Sequence, residues 1–177
     1  MNEIKVFGHR SPDTDATASA IVWAWFINNH REEIATPYIL GNINTEAEFV
    51  LESWGATIPK ILDKVTAGDK VAIVDTNNLD ELFENINDTV IVSIVDHHKL
   101  SGNLKTNLPL ELVIQPYAST MTVMYNIMNI EPEYLPREIA GLMLSGILSD
   151  TLEFRSPTTT EDDIHLAKKL AIELNVN

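Results

Sequence analysis

The chain has 177 residues, 45% of them hydrophobic and 21% charged, with no cysteine and a formal net charge of −14. That length suits one domain with a proper core, and no run approaches the roughly 18 uninterrupted apolar residues of a membrane span. The acidity argues against a broad basic surface and so against long nucleic acid as a partner; without thiolates any metal must be held by histidine and carboxylate, which favours Mn²⁺, Mg²⁺ or Co²⁺, with Zn²⁺ possible.

Met1 to Lys5 lead straight into a strand pattern without the basic and apolar layout of a signal peptide, so a cytoplasmic location is expected. Ile4 to Phe7 reads as a first strand. The loop after it, G-H-R-S-P-D-T-D-A, carries His9, Asp13 and Asp15 before the small residues Ala16 to Ala20 open a helix to about Asn29. N-capping accounts for one aspartate at such a place; the second and the histidine need another reason. Thr36 to Leu40 is a second strand and Thr45 to Ser53 a second helix. Val71 to Val74 is a third, buried strand ending in Asp75, and Asp80 to Asn85 reads as a short helix. Val90 to Val95 is β-branched or apolar almost throughout, the pattern of a strand buried on both faces, and it delivers Asp96, His97 and His98 at its carboxyl end. Taken alone, D-H-H reads equally well as a capping aspartate with two surface histidines.

Leu110 to Gln115 is a fifth strand, stopped by Pro116, and Ser119 to Asn129 a helix whose Met121, Met124 and Met128 stripe is core packing. Pro136 opens an apolar helix that ends in Asp150, an acid at the negative end of a helix dipole that a cation would compensate. Thr160 opens the last helix, to Leu174. His30 and His165 read as structural, and Trp23, Trp25, Phe26 and Trp54 as buried in the core or at a dimer face. The alternation predicts an α/β fold with a mainly parallel five-stranded sheet flanked by helices, doubly wound, in one domain over residues 1–177.

In a parallel sheet the loops after the first, third and fourth of these strands share one edge, so His9, Asp13, Asp15, Asp75, Asp96, His97 and His98 can converge in one crevice. So many carboxylates raise one another's pKa. Two divalent cations about 3.5–4 Å apart resolve the repulsion and are the usual device for phosphoryl hydrolysis. Asp75 is the natural bridge.

G-H-R-S-P-D-T-D resembles the first motif of the DHH phosphoesterase superfamily, Asp75 its second, D-H-H at Asp96 to His98 its third, and L-S-G-I-L-S-D-T around Asp150 its fourth. Within that superfamily the chain is most similar, from Ile4 to Asn175, to the family II, manganese-dependent inorganic pyrophosphatases. The resemblance implies two Mn²⁺ ions, replaceable by Co²⁺ or Mg²⁺. His9 and Asp13 match the ligands of one ion, Asp15, His97 and Asp150 those of the other, and Asp75 the bridging group. His98 matches the histidine that meets the substrate phosphate and helps protonate the leaving group. Asp96 matches an acid that orients a ligand histidine from behind rather than binding metal. The resemblance also implies a homodimer formed through this domain.

Family members continue past the position of Asn177 into a second domain that clamps pyrophosphate with lysines and an arginine, and nothing here matches it. Arg10, Lys99 and Arg155 are the nearby cations able to replace part of that clamp, although each also reads as an ordinary surface charge. The expectation is a metal-binding domain, cut from a longer pyrophosphatase, that hydrolyses pyrophosphate weakly or not at all alone. The alternatives are a DHH-type phosphodiesterase or exonuclease acting on short oligonucleotides or cyclic dinucleotides, and a non-catalytic metal- or nucleotide-binding module.

Overall fold

A computed structural model describes residues 3–176. Met1 and Asn2, which entered the reading of the N-terminus, and Asn177 lie outside the described residues. The strands are β1 (Ile4–Phe7), β2 (Ala35–Ile39), β3 (Lys60–Ile61), β4 (Lys70–Val74), β5 (Val90–Asp96) and β6 (Glu111–Ile114). The helices are α1 (Thr14–His30), α2 (Thr45–Trp54), α3 (Thr120–Met128), α4 (Arg137–Asp150) and α5 (Glu161–Leu174). Every strand pairing is parallel, in the order β3-β2-β1-β4-β5-β6. The chain winds outward from β1 to β3, then crosses back to lay β4 on the other side of β1. The order reverses between β1 and β4, the position where open parallel sheets leave a crevice beyond their carboxyl ends.

Alternation along the strands divides the interior into two cores. Ile4, Val6, Ala72, Val74 and Val95 face a large core to which all five α-helices contribute, with Trp23, Met121, Met124, Leu142 and Met143 among its buried side chains. Phe7, Val71, Ile73, Ile91 and Ile94 face a smaller one, closed by Val65, Leu82 and Ile86 from the connecting segments. The α-helices therefore cover one face of the sheet, and on the other short 3₁₀ turns and loops replace the second helical layer expected of a doubly wound fold. The register of β5 against β4 steps past Val92, where Val71 pairs with Ile91 and Ala72 with Ser93. This irregularity accompanies a buried polar contact, the Trp23 indole N–H donating to Ser93 Oγ at 3.2 Å.

The sheet has six strands rather than five. The additional one, Lys60–Ile61, is two residues long and exposed, and it carries no apolar alternation that a sequence pattern can register. The short helix expected over Asp80 to Asn85 is instead two 3₁₀ turns, Leu79–Glu81 and Ile86–Asp88, with Asn78 capping the first through its side chain. Asparagine and aspartate favour such local turns over a continued helix. The methionines of α3 are buried as expected.

A close approach fixes how α2 meets α4. A Cβ on Gly141 would fall within the Trp54 ring, and that indole is held by its N–H to Ser145 Oγ at 2.9 Å and by the Arg137 guanidinium 5.6 Å from the ring centre. Gly141→Ala is therefore expected to cost about 1–3 kcal/mol through overpacking. It should appear as a lower urea midpoint at unchanged slope; an unchanged midpoint would show that Trp54 can move aside.

Candidate metal centre

Four loops bring their ionisable groups to the switch point. After β1 the chain presents His9, Asp13 and Asp15. Asp13 does cap α1, its Oδ1 accepting from the Ala16 N–H at 3.0 Å, yet its other oxygen lies 3.8 Å from His9 Nε2. Asp15, in the first turn of α1, is fully buried. It reaches α4 because Gly146 leaves room, since a Cβ there would stand 2.7 Å from Asp15 Oδ1. Asp75 follows β4 with a left-handed backbone, φ 59°, an uncommon conformation for a residue with a side chain, though one that Asp tolerates better than most. Its N–H still donates to Val95 O at 2.9 Å.

The Asp75 carboxylate sits between two sets of candidate ligand atoms. One oxygen is 3.5 Å from His9 Nε2, and the other is 3.4 Å from His97 Nε2. His97 Nε2 is also 3.4 Å from Asp150 Oδ2, at the last residue of α4. Donor atoms of His9, Asp13 and Asp75 form one compact group, and those of Asp15, Asp75, His97 and Asp150 another, with Asp75 common to both. His98 shares a further grouping with Asp75 and His97. It lies nearer the surface, and its Nδ1 is 2.8 Å from Asp96 Oδ1.

Asp96 is completely buried and used up by its own loop. One oxygen accepts from the backbone N–H groups of His97 and His98 at 2.8 and 3.1 Å, and the other from Asn77 Nδ2 at 2.6 Å. The imidazole that Asp96 orients is thus His98; His97 is oriented instead by Nδ1 donating to Tyr117 O at 3.0 Å. That bond leaves His97 Nε2 as a buried nitrogen with no hydrogen-bond partner. Arg10 and Lys99 are exposed on the loops beside the cluster. Arg155 is turned to its own segment, pairing with Glu153 at 3.3 Å and donating to Leu152 O.

The floor of this site has no signature in the sequence. Ser119 and Thr120, at the start of α3, meet the carboxylates directly: Ser119 Oγ and the Thr120 N–H donate to Asp15 at 3.0 and 2.8 Å, and Thr120 Oγ1 donates to Asp75 at 2.7 Å. Their pattern in the sequence is an ordinary N-cap, which gives no sign of partners 45 and more residues away. Asn77 was missed for the same reason. It clasps the D-H-H loop through Asp96, Lys99 O and the Ser101 N–H.

The cluster holds more carboxylates than it can ionise. Burial, reinforced by the charges of Asp15 and Asp75, pushes Asp150 up to about 12, and burial with the charge of Asp75 pushes Asp15 up to about 7. Asp75 goes the other way: burial opposes ionisation, but the nearby imidazoles of His9 and His97 and the hydrogen bond from Thr120 hold it below the usual carboxylate range. Burial would lower His97, yet its contacts with Asp75 and Asp15 lift it to about 9. Among the described residues the Lys and Arg ion pairs all lie elsewhere. An unpartnered imidazole nitrogen beside crowded carboxylates, with no basic side chain paired to them, fits a hard or borderline divalent cation.

The chain matches the DHH family, N-terminal domain, over residues 3–147. It belongs to that family. Among curated relatives it is 40% identical over 177 residues to a Staphylococcus haemolyticus protein named probable manganese-dependent inorganic pyrophosphatase, covering all of this chain and 57% of the relative. A Bacillus licheniformis protein of the same name is 35% identical over 175 residues, covering 97% of this chain and 55% of the relative. The DHH chain thus spans little more than half the length of these relatives. Its fold superimposes on the crystal structure of a Methanococcus jannaschii protein assigned to the family II inorganic pyrophosphatases, with TM-score 0.85 and 34% identity over 98% of this chain and 57% of that one. An exopolyphosphatase-related protein of Bacteroides fragilis shares the fold, with TM-score 0.71 at 15% identity over 99% of this chain and 54% of that one. Among the described residues no helix is long and apolar enough to cross a membrane.

A pH dependence follows from the shifted groups. In the folded, metal-free chain Asp150, Asp15 and His97 keep protons at pH values where the unfolded chain has lost them, so the folded state binds more protons and its stability falls as pH rises from about 6 to 8. A divalent cation held by these groups would displace those protons, so added Mn²⁺ should raise the melting temperature more at pH 8 than at pH 6. Thermal unfolding in EDTA and in excess Mn²⁺ at both pH values tests this; an equal rise would show that binding releases no protons.

Proposed function

We propose that this DHH domain is the metal-binding half of an inorganic pyrophosphatase, holding two Mn²⁺ ions, for which Co²⁺ or Mg²⁺ can substitute. The observation that carries the reading is the Asp75 carboxylate, whose two oxygens face two separate ligand groups. His9 and Asp13 serve one ion, Asp15, His97 and Asp150 the other, and Asp75 bridges them. Bound there, divalent ions supply the positive charge that neutralises phosphoryl oxygens and acidifies an attacking water. The similarity to proteins named manganese-dependent inorganic pyrophosphatases supports both the metal and the substrate.

The chain's own residues do the remaining work. Asp96 grips His98 at Nδ1 and leaves Nε2 as the free ring nitrogen. The hydrogen bond that His98 Nδ1 donates to Asp96 also raises the His98 pKa, which favours the protonated ring that gives a proton to the departing phosphate. Arg10 and Lys99 are the exposed cations available to the outer phosphate. They make a thin clamp for an anion of such high charge, and turnover by this domain alone is weak or absent. The domain works in the cytoplasm as a homodimer, and long nucleic acid is not its substrate.

Phosphate release from pyrophosphate with Mn²⁺ should be low for the domain alone and should rise when the remaining portion of a relative is supplied in trans. Turnover of a dinucleotide but not of pyrophosphate would move the assignment to a phosphodiesterase. Asp75→Asn should abolish paired binding of both ions by calorimetry, whereas His98→Gln should spare binding and lower the rate about 10²-fold or more. Loss of a single ion in Asp75→Asn would remove the bridge from the mechanism.

A further inference from the structure

A carboxylate shared between two ligand groups works only if its plane is held at the right rotation, and the terminal torsion of an aspartate is soft. Two of the groups beside Asp75, His9 Nε2 and His97 Nε2, are nitrogens that the two-ion reading commits to metal. Once committed they no longer hold Asp75. The Thr120 hydroxyl remains. It is fully buried and donates to Asp75 Oδ1 at 2.7 Å, the oxygen that faces His97. The backbone N–H of the same residue donates to Asp15 Oδ2 at 2.8 Å. One residue therefore holds a carboxylate shared by both groups and a second belonging to one of them.

Thr120 is in turn held from both sides. Asp163, buried in the first turn of α5, accepts from the Ala118 N–H at 3.1 Å and from Thr122 Oγ1 at 2.6 Å, bracketing Thr120 in the chain. The same carboxylate accepts from the N–H and hydroxyl of Thr160 in the α5 capping box. This anchor ties the start of α3 to the start of α5 and leaves Thr120 little freedom to shift. Resting on the two-ion reading above, we propose that Thr120 is a positioning residue that sets the rotation of the Asp75 carboxylate and so the geometry of both ion sites, touching neither ion nor substrate.

The test is Mn²⁺ binding to the whole chain, by calorimetry and by the electron paramagnetic resonance signal of exchange-coupled ion pairs, with circular dichroism of the metal-free protein as the fold control. Thr120→Val keeps the shape and the backbone N–H but removes the hydroxyl. It should weaken Mn²⁺ binding about 10- to 100-fold and diminish the coupled signal, while Thr120→Ser, which restores the donor, should bind like the wild type. Thr120→Ala repeats the comparison without a branched side chain, should the valine fail to fit. Wild-type affinity and coupling in the valine and alanine variants would overturn the positioning role and leave the two-ion reading standing. Equal weakening in the serine variant would overturn it too, since the hydroxyl would then not be the cause. A wild-type chain that binds no Mn²⁺ would overturn the two-ion reading and this proposal together.

Discussion

Repulsion among buried carboxylates is the constraint around which this molecule is arranged. Asp15, Asp75 and Asp150 converge on one crevice, and each is paired with donors that are neutral or only conditionally charged: hydroxyls, backbone N–H groups and imidazoles. A structural ion-pair network would place arginine or lysine among them, and burying unpaired charge is costly enough that proteins otherwise avoid it. The fold concedes stability here and recovers it in the large core beneath, where α1 and α3 pack against the sheet and α4 packs against those helices. Even the backbone contributes, since the left-handed turn at Asp75 is held by its N–H bond to β5.

The parallel order explains why these particular residues meet. A βα loop after β1 and another after β4 lie side by side only because the winding reverses between them. The glycines of α4 show how tightly the site is built: Gly146 yields its side-chain volume to Asp15, and Gly141, earlier on the same helix, yields its own to Trp54. α4 thus meets α2 and the site on two different sides, each through a missing side chain.

Much of this was legible in the sequence, for identifiable reasons. Val71–Val74 is apolar throughout and Val90–Val95 is apolar but for Ser93; each ends in an acid, so both the buried strand and its carboxyl-end cargo can be read from that pattern. His9, Asp13, Asp15, Asp75, His97 and Asp150 do come together. What could not be read was pairing at long range. Thr120 and Asn77 are small polar residues in turn-like settings, where local capping is the ordinary explanation, and nothing in their neighbourhood names Asp75 or Asp96 as a partner. The strand at Lys60–Ile61 was invisible because it has no buried side chain. The expected second helical layer failed because Leu82, which follows one 3₁₀ turn, and Ile86, which opens the next, close the small core without a full helix.

The two candidate ligand groups draw on very different lengths of chain. The group of His9, Asp13 and Asp75 is complete once residue 75 has been made, whereas the group of Asp15, Asp75, His97 and Asp150 waits for the end of α4. On a ribosome the first set of ligands emerges well before the second, and α3 and α5, which carry Thr120 and its Asp163 anchor, also follow Asp75 by many residues. The two groups are therefore synthesised in order, and the Thr120 contact to the carboxylate they share, with its Asp163 anchor, can form only after the first group has been made.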